Sequence, residues 1–328
     1  MKRKLLAFSI AVTFILASCA KNETVVLNPP TVDSSNIPIV QYKPVIAVDS
    51  SHATMSKVLE FNPAPGQFMN ETIGTQAQAQ KLAYDSTFKT MISLGAWGGF
   101  IAFKFDHSVQ NANGADLAIY GNPFSGWDEP GIVMVSQDFN NNGIADDPWY
   151  ELAGSQYDST TTIHNYKVTY YNPGDYVAGG KNDIPWKDNQ GNSGVIAWNS
   201  SHRHSFFPLE TSSPNYNTQK DSIMFEGSRL RTLPLASGII YNNIVNLGWW
   251  GYSDTYSKGA GPDSLDNYAK NKYNSFDIDW ARDSNGKKVK LNYIDFVKVY
   301  TGQLANGGIL GEVSTEFLGA RDLHIQKL

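Results

Sequence analysis

Cysteine is nearly missing: the 328 residues hold one, Cys19. A single thiol excludes a disulfide framework and a thiolate metal cage. Charge is sparse as well, with 17% charged residues and a formal net charge of -5. A mildly acidic surface argues against nucleic acid and anionic lipid as partners. After the short apolar run from Leu5 to Leu16, no stretch approaches the roughly 20 apolar residues a spanning helix needs. Also missing are a Gly-x-Ser-x-Gly elbow, a His-Glu-x-x-His pair and a phosphate-cradling glycine loop. No repeat recurs at a fixed period, which argues against propellers and solenoids.

The lone cysteine has a telling context. Basic Lys2-Arg3-Lys4 precedes the apolar run, and Leu16-Ala17-Ser18 leads directly into Cys19. That is the pattern of a bacterial lipoprotein signal peptide over residues 1–18, with Cys19 as the lipidation site. The rest of the chain is then expected outside the cytoplasm, touching a membrane through its lipid anchor only. Asn28-Pro29-Pro30 and Asp33-Ser34-Ser35 break any period, so residues 19–55 read as a flexible tether. Residues 56–328 read as one domain, a length at which all-β folds remain in one piece.

Aromatics reach 12% of the chain, which together with abundant Gly, Asn, Asp, Ser and Tyr favours strands joined by polar loops. Ile101, Phe103 and Phe105 alternate with Ala102 and Lys104, giving one apolar strand face. Further strands are expected at residues 117–120, 132–135, 166–171, 223–225, 239–241 and 294–300. Residues 76–89 form the best helix pattern, with Ala77, Ala79, Leu82 and Ala83 free of Gly and Pro. Many short strands without alternating helices predict an all-β fold, a jelly-roll-like β-sandwich with long loops and a short peripheral helix. Residues 173–217 read as long loops over one end of that sandwich.

The sharpest motif follows the strand at 132–135. Asp138, Asn140 and Asn142 place oxygens at alternate positions, Gly143 permits a sharp bend, and Ile144 offers a carbonyl. Asp146 and Asp147 follow. These are hard-cation ligands, and calcium is preferred over a solvated Asn-rich turn. The twelfth position, where an EF-hand has glutamate, is Trp149, so Glu151 or Glu129 is expected to complete the shell. His202 and His204 sit on one face of an extended segment, with Arg203 between them. No third metal ligand is visible at suitable spacing, so backbone-bonded loop histidines are the favoured reading. His107 reads as a turn residue. Trp127, Trp149, Trp186, Trp198, Trp249 and Trp250 lie in segments punctuated by Gly, Asn, Asp or Pro. Such rings stack on sugars and other ring ligands, although any one of them also suits a sandwich core.

Several stretches together resemble a known group: Pro63-Ala64-Pro65-Gly66-Gln67-Phe68, Ser93-Leu94-Gly95-Ala96-Trp97-Gly98-Gly99, Phe105-Asp106-His107, Gly121-Asn122-Pro123-Phe124, Glu129-Pro130-Gly131-Ile132-Val133, the loop from Asp138 to Leu152, and Phe276-Asp277-Ile278-Asp279-Trp280-Ala281. The segment from Ile294 to Gly302 belongs with them. The chain is similar, from about Val58 onward, to Bacteroidota cell-surface lipoproteins whose relatives accompany TonB-dependent outer-membrane transporters, including those of corrinoid-uptake loci. The resemblance implies a calcium-braced sandwich at the outer membrane that captures a ligand or supports a transporter, and it assigns no catalytic residue. Lys21-Asn22-Glu23 only partly resembles the surface-export signal of that phylum, which leaves the periplasmic face open. The expected function is non-enzymatic binding of a nutrient, a corrinoid or a glycan, through Trp127, Trp186, Trp198, His202, Arg203, His204, Trp249 and Trp250. The alternatives are a glycan-active hydrolase and a structural partner of a transporter without its own ligand.

Overall fold

The computed structural model describes residues 41–123, 125, 127–209, 221–232, 249–259, 261–307 and 311–326. Cys19 and its signal, Lys21-Asn22-Glu23 and the expected strand at 239–241 lie outside the described residues.

The domain is all-β and every strand pair is antiparallel. The largest sheet has six strands in the order β1 (Lys57–Asn62), β3 (Phe100–Gln110), β13 (Tyr293–Thr301), β5 (Gly131–Ser136), β6 (Trp149–Leu152) and β12 (Ala281–Arg282). A four-stranded sheet runs β10 (Ser222–Arg229), β7 (Ile163–Tyr171), β8 (Ile184–Asp188) and β9 (Ser193–Ile196). Three strands form another sheet, β11 (Asn274–Phe276), β4 (Leu117–Tyr120) and β15 (Gly319–Asp322), while β14 (Glu316–Phe317) pairs with β2 (Ile92–Ser93).

Alternation explains how these sheets stack. Ile101, Phe103 and Phe105 of β3 share one buried cluster with Val133 and Val135 of β5, Val297 and Val299 of β13, and Leu117 and Ile119 of β4. One face of the six-stranded sheet therefore packs on the three-stranded sheet as a sandwich. On β7, Tyr166, Val168 and Tyr170 point inward and join Ile223, Phe225, Phe206 and Phe207 around Trp97. That second cluster lets the four-stranded sheet dock. Close approach there demands glycine at position 98, where φ is +90° and a Cβ would fall 2.4 Å from the Cβ of Phe225.

Several expectations are corrected. The helix, α1, covers only Gln76–Gln80, capped by Thr75. Tyr84 is left-handed, and Asp85 accepts hydrogen bonds from the amides of Thr87 and Thr90, so the chain turns where a helix pattern continues. Nor is it peripheral, since Ala79 and Leu82 belong to the main core. A second short helix, α2, spans Tyr268–Asn271. The stretch read as loops from 173 contains the β8–β9 hairpin, turned by Asp188, which accepts from the amides of Gln190 and Asn192; residues 210–217 lie outside the described residues. The tether reading fails for its last part: Ala53, Thr54 and Met55 are buried, and the Met55 amide donates to the Ala320 carbonyl. His107 lies inside β3 rather than in a turn, held between Asp106 at 2.7 Å and Asp322 at 2.9 Å.

Phe103 sits on β3, the second strand of the largest sheet, fully buried and against the rings of Phe105 and Phe317. Replacing it with alanine is expected to cost about 3–5 kcal/mol. Urea unfolding of Phe103→Ala checks this, and a loss near zero would contradict the sandwich core as drawn.

Candidate functional site

The second face of the six-stranded sheet carries the chemistry. At β6 the side chains of Trp149 and Glu151 share one face, opposite Ser136 and Met134 of β5. Beside them Tyr300 rises from β13, and β10 crosses above. Together these strands wall a cleft of about 750 Å³. Its rim is completed by Tyr157, Asp158, His164 and Asn165, and by the turn from Arg282 to Gly286.

A bulge shapes the wall that β10 contributes. Pairing of β10 with β7 shifts register between Gly227 and Arg229, which re-aims Ser228. Gly227 makes room, because a Cβ there would stand 2.9 Å from the Tyr300 hydroxyl. That hydroxyl accepts from the Ser228 amide at 2.9 Å and donates to the Ser228 carbonyl at 3.2 Å. Trp97 Nε1 donates to the same carbonyl.

Ser228 Oγ then links two titratable groups, lying 2.6 Å from Glu151 Oε2 and 2.9 Å from His164 Nδ1. His164 Nε2 stands 3.1 Å from the Tyr157 carbonyl, which can only accept, so Nε2 carries a proton. Two proton distributions satisfy the chain. Either Ser228 donates to a Glu151 carboxylate and accepts from a doubly protonated ring, or a Glu151 carboxylic acid donates to Ser228 and Ser228 donates to a neutral ring. They differ by one proton passed across the hydroxyl. Burial pushes the Glu151 carboxyl up to about 7, against the lowering effect of the Ser228 hydrogen bond.

An aromatic ring and a guanidinium, Trp149 and Arg282, line the same cleft. Trp149 is half-buried, with the Lys298 ammonium 4.2 Å over its ring. Desolvation lowers the pKa of that lysine.

The expected calcium loop is the hairpin connection between β5 and β6. Asp138 accepts from the amides of Asn142 and Gly143, and Asn142 Oδ1 accepts from the amide of Ile144. The side-chain amides of Asn140 and Asn142 both turn to Asp146, and Asp147 accepts from the Phe139 amide. Asp138, Asn140, Asn142 and Asp146 are thus brought together, exposed or nearly so. The two expected completing carboxylates are elsewhere. Glu151 faces the cleft, and part-buried Glu129 sits with buried Asp254 and Glu316 in a separate cluster. Burial first, and then the neighbouring Asp254, push Glu129 up to about 8.

The expected ligand-binding tryptophans scatter. Trp249 is buried beside Tyr252, and Trp250 packs on Trp280. Trp186 and Trp198 border the second core, the indole of Trp198 donating to the His204 carbonyl. Trp127 is part-buried and does not line the cleft. Arg203 is exposed. His202 and His204 do converge, on Glu71, a residue 131 positions before His202. Sequence reasoning missed Ser228, His164 and Tyr157, none of which stands in a motif, and placed Tyr300 on a strand without assigning it to a site. The alternation through Trp149 and Glu151 was the available signal. No protein-family model matches the chain, and no curated protein matches it.

Buried acids set an expected pH profile. The carboxyls of Glu151 and Glu312 are held at about 7, Glu129 at about 8 and Asp128 at about 7, each first by desolvation. Unfolded carboxyls release their protons near pH 4, so between about pH 4 and 8 the folded state binds more protons and stability falls as pH rises. Melting temperature in chelator-treated buffer should drop from pH 5 to pH 8.5, and Glu151→Gln should flatten part of that slope. A profile rising through this window would contradict the assignment.

Proposed function

We propose that the protein is a non-enzymatic, lipid-anchored binder of a glycan, held outside the cytoplasm at the outer membrane. The cleft carries the reading. Half-buried Trp149 and the edge of buried Tyr157 supply ring surface, while Glu151, His164, Asn165 and Arg282 supply hydrogen-bond groups around them. Sugars are recognised by such pairing of flat apolar faces with converging polar groups. Of the two expected nutrients a glycan suits this lining better, because the broad macrocycle of a corrinoid calls for a wider apolar bed. The signal ending at Cys19 supports the anchor, and a TonB-dependent transporter is the expected partner. Among the described residues no helix is long and apolar enough to cross a membrane.

Calcium belongs to the proposal as a brace. The donor set of Asp138, Asn140, Asn142, Asp146 and the Ile144 carbonyl suits a hard cation, and the two Asn amides crowding Asp146 mark where positive charge is wanted. A bound ion would stiffen the turn that leads into β6.

One observation favours a second reading, a glycan-active hydrolase. A carboxyl held near neutrality in a cleft that also contains Asp158 and Asp283 has the character of a general acid.

Calorimetric titration against a panel of oligosaccharides tests the binding site. Trp149→Ala should weaken the best ligand about tenfold, the loss expected for one stacked ring, and leave the fold intact by circular dichroism. Affinity unchanged in Trp149→Ala would move the site elsewhere. Reducing-sugar release that disappears in Glu151→Gln would replace binding by hydrolysis. For the metal, chelation should lower the melting temperature of the wild type and leave Asp138→Ala unmoved. If the chelator effect survives Asp138→Ala and vanishes in Glu129→Gln, the buried carboxylate cluster is the calcium site instead.

A further inference from the structure

We propose that Glu71, His202 and His204 form a mononuclear transition-metal site of the zinc class, outside the cleft and with one coordination position open. Glu71 Oε2 lies 3.1 Å from His202 Nδ1, and Glu71 Oε1 lies 3.1 Å from His204 Nδ1. One donor atom from each residue falls within 4.8 Å of the others. A tetrahedral zinc with bonds of about 2.0–2.1 Å separates its ligand atoms by roughly 3.4 Å. Small side-chain shifts therefore suffice to admit the ion.

Proton accounting favours a cation at this point. His204 Nε2 stands 3.0 Å from the Gln67 carbonyl and so carries the ring proton. In the neutral ring Nδ1 then presents a lone pair to the Glu71 carboxylate, and two acceptors at this distance repel unless positive charge lies between them. Either a second ring proton or a metal on Nδ1 removes that conflict. An imidazole whose far nitrogen donates to a backbone carbonyl is also the usual outer-sphere arrangement of a metal-bound histidine.

The ligands stand on prepared backbone. Asn70 has a left-handed φ of 64°, and its amide nitrogen donates to the carbonyls of Ser205 and Phe207. Its oxygen accepts from the Leu209 amide, while the Gly66 amide donates to the Phe206 carbonyl. Phe68 packs its ring edge-on against His202. The segment carrying Glu71 is thus fastened along the segment carrying both histidines, which limits the ordering cost of binding.

Two nitrogens and a carboxylate, with no thiolate, select zinc, cobalt, nickel or iron(II) over calcium and magnesium. Three protein ligands that remain 20%, 23% and 41% exposed leave a side open to water or to a Lewis base. Closed structural sites use four.

The test uses tag-free protein, stripped with chelator and then held in excess calcium so that hard-cation sites are filled. Titration with Zn²⁺ by calorimetry should give one saturable site, and Co²⁺ should produce visible absorption bands of a low-coordinate ion. His204→Ala and Glu71→Gln should each weaken Zn²⁺ binding by on the order of 100-fold. His202→Ala serves if His204→Ala fails to fold, since His202 makes its packing contact at a ring edge. The proposal is overturned if neither metal binds with a dissociation constant below about 1 mM, or if affinity is the same in a folded His202→Ala variant.

Discussion

Ser228 is the joint on which the rest of the molecule depends. Its amide and carbonyl are both taken by the Tyr300 hydroxyl, its carbonyl also by Trp97, and its hydroxyl by Glu151 and His164. Tyr300 and Glu151 belong to the six-stranded sheet, Ser228 and His164 to the four-stranded one, and Trp97 to the second core. A strand bulge buried away from water must find partners for its freed backbone groups. Here those partners come from the other sheet, so satisfying the bulge and docking the sheets are one event. The cleft is the space left beside that joint.

A second constraint is electrostatic. Part-buried Glu129 stands with buried Asp254 and Glu316, and the neighbouring charges that raise Glu129 are further carboxyls, Asp254 and Glu312. Burial without a nearby cation drives such groups toward their neutral form, because an unpaired charge in the interior costs more than a bound proton. Amides hold the geometry instead: Ser314 donates to Glu129, and Asn122 and Glu316 donate to Asp254. Ser314 and Glu316 are thereby fixed to Glu129, just ahead of β5, and to Asp254, and Thr315 adds a hydroxyl bond to the Glu129 carbonyl.

Much of the fold was legible because its strands are half-buried. Residues 117–120 and 132–135 alternate or run apolar between turn formers, and both became strands within a residue or so of expectation. The β8–β9 hairpin was hidden, since Pro185, Lys187 and the exposed Val195 break the apolar alternation and only Ile184 and Ile196 are buried there. Helix propensity over 76–89 lost to a local side-chain bond at Asp85, a competition that composition does not reveal. The polar loop at 138–147 was readable because its ligands are contiguous. The Glu71 group was not, because its histidines and its carboxylate meet only through the pairing of two distant segments.

Trp149 shows why the loop and the cleft are one design. As the twelfth residue counted from Asp138 it is a defect in an EF-hand, where a glutamate should close the shell. In the hairpin it is the first residue of β6, paired with Ser136, and Glu151 pairs with Met134. Side chains on a strand alternate, so a slip of one residue would send Trp149 and Glu151 to the opposite face and bring Tyr150 into the cleft. What sets the register is the length and rigidity of the connection, including the Asp138 amide bonded to Asp295 of β13 at 2.8 Å. A cation gathered by Asp138, Asn142 and Asp146 would act through that register. It would reach the cleft without lining it.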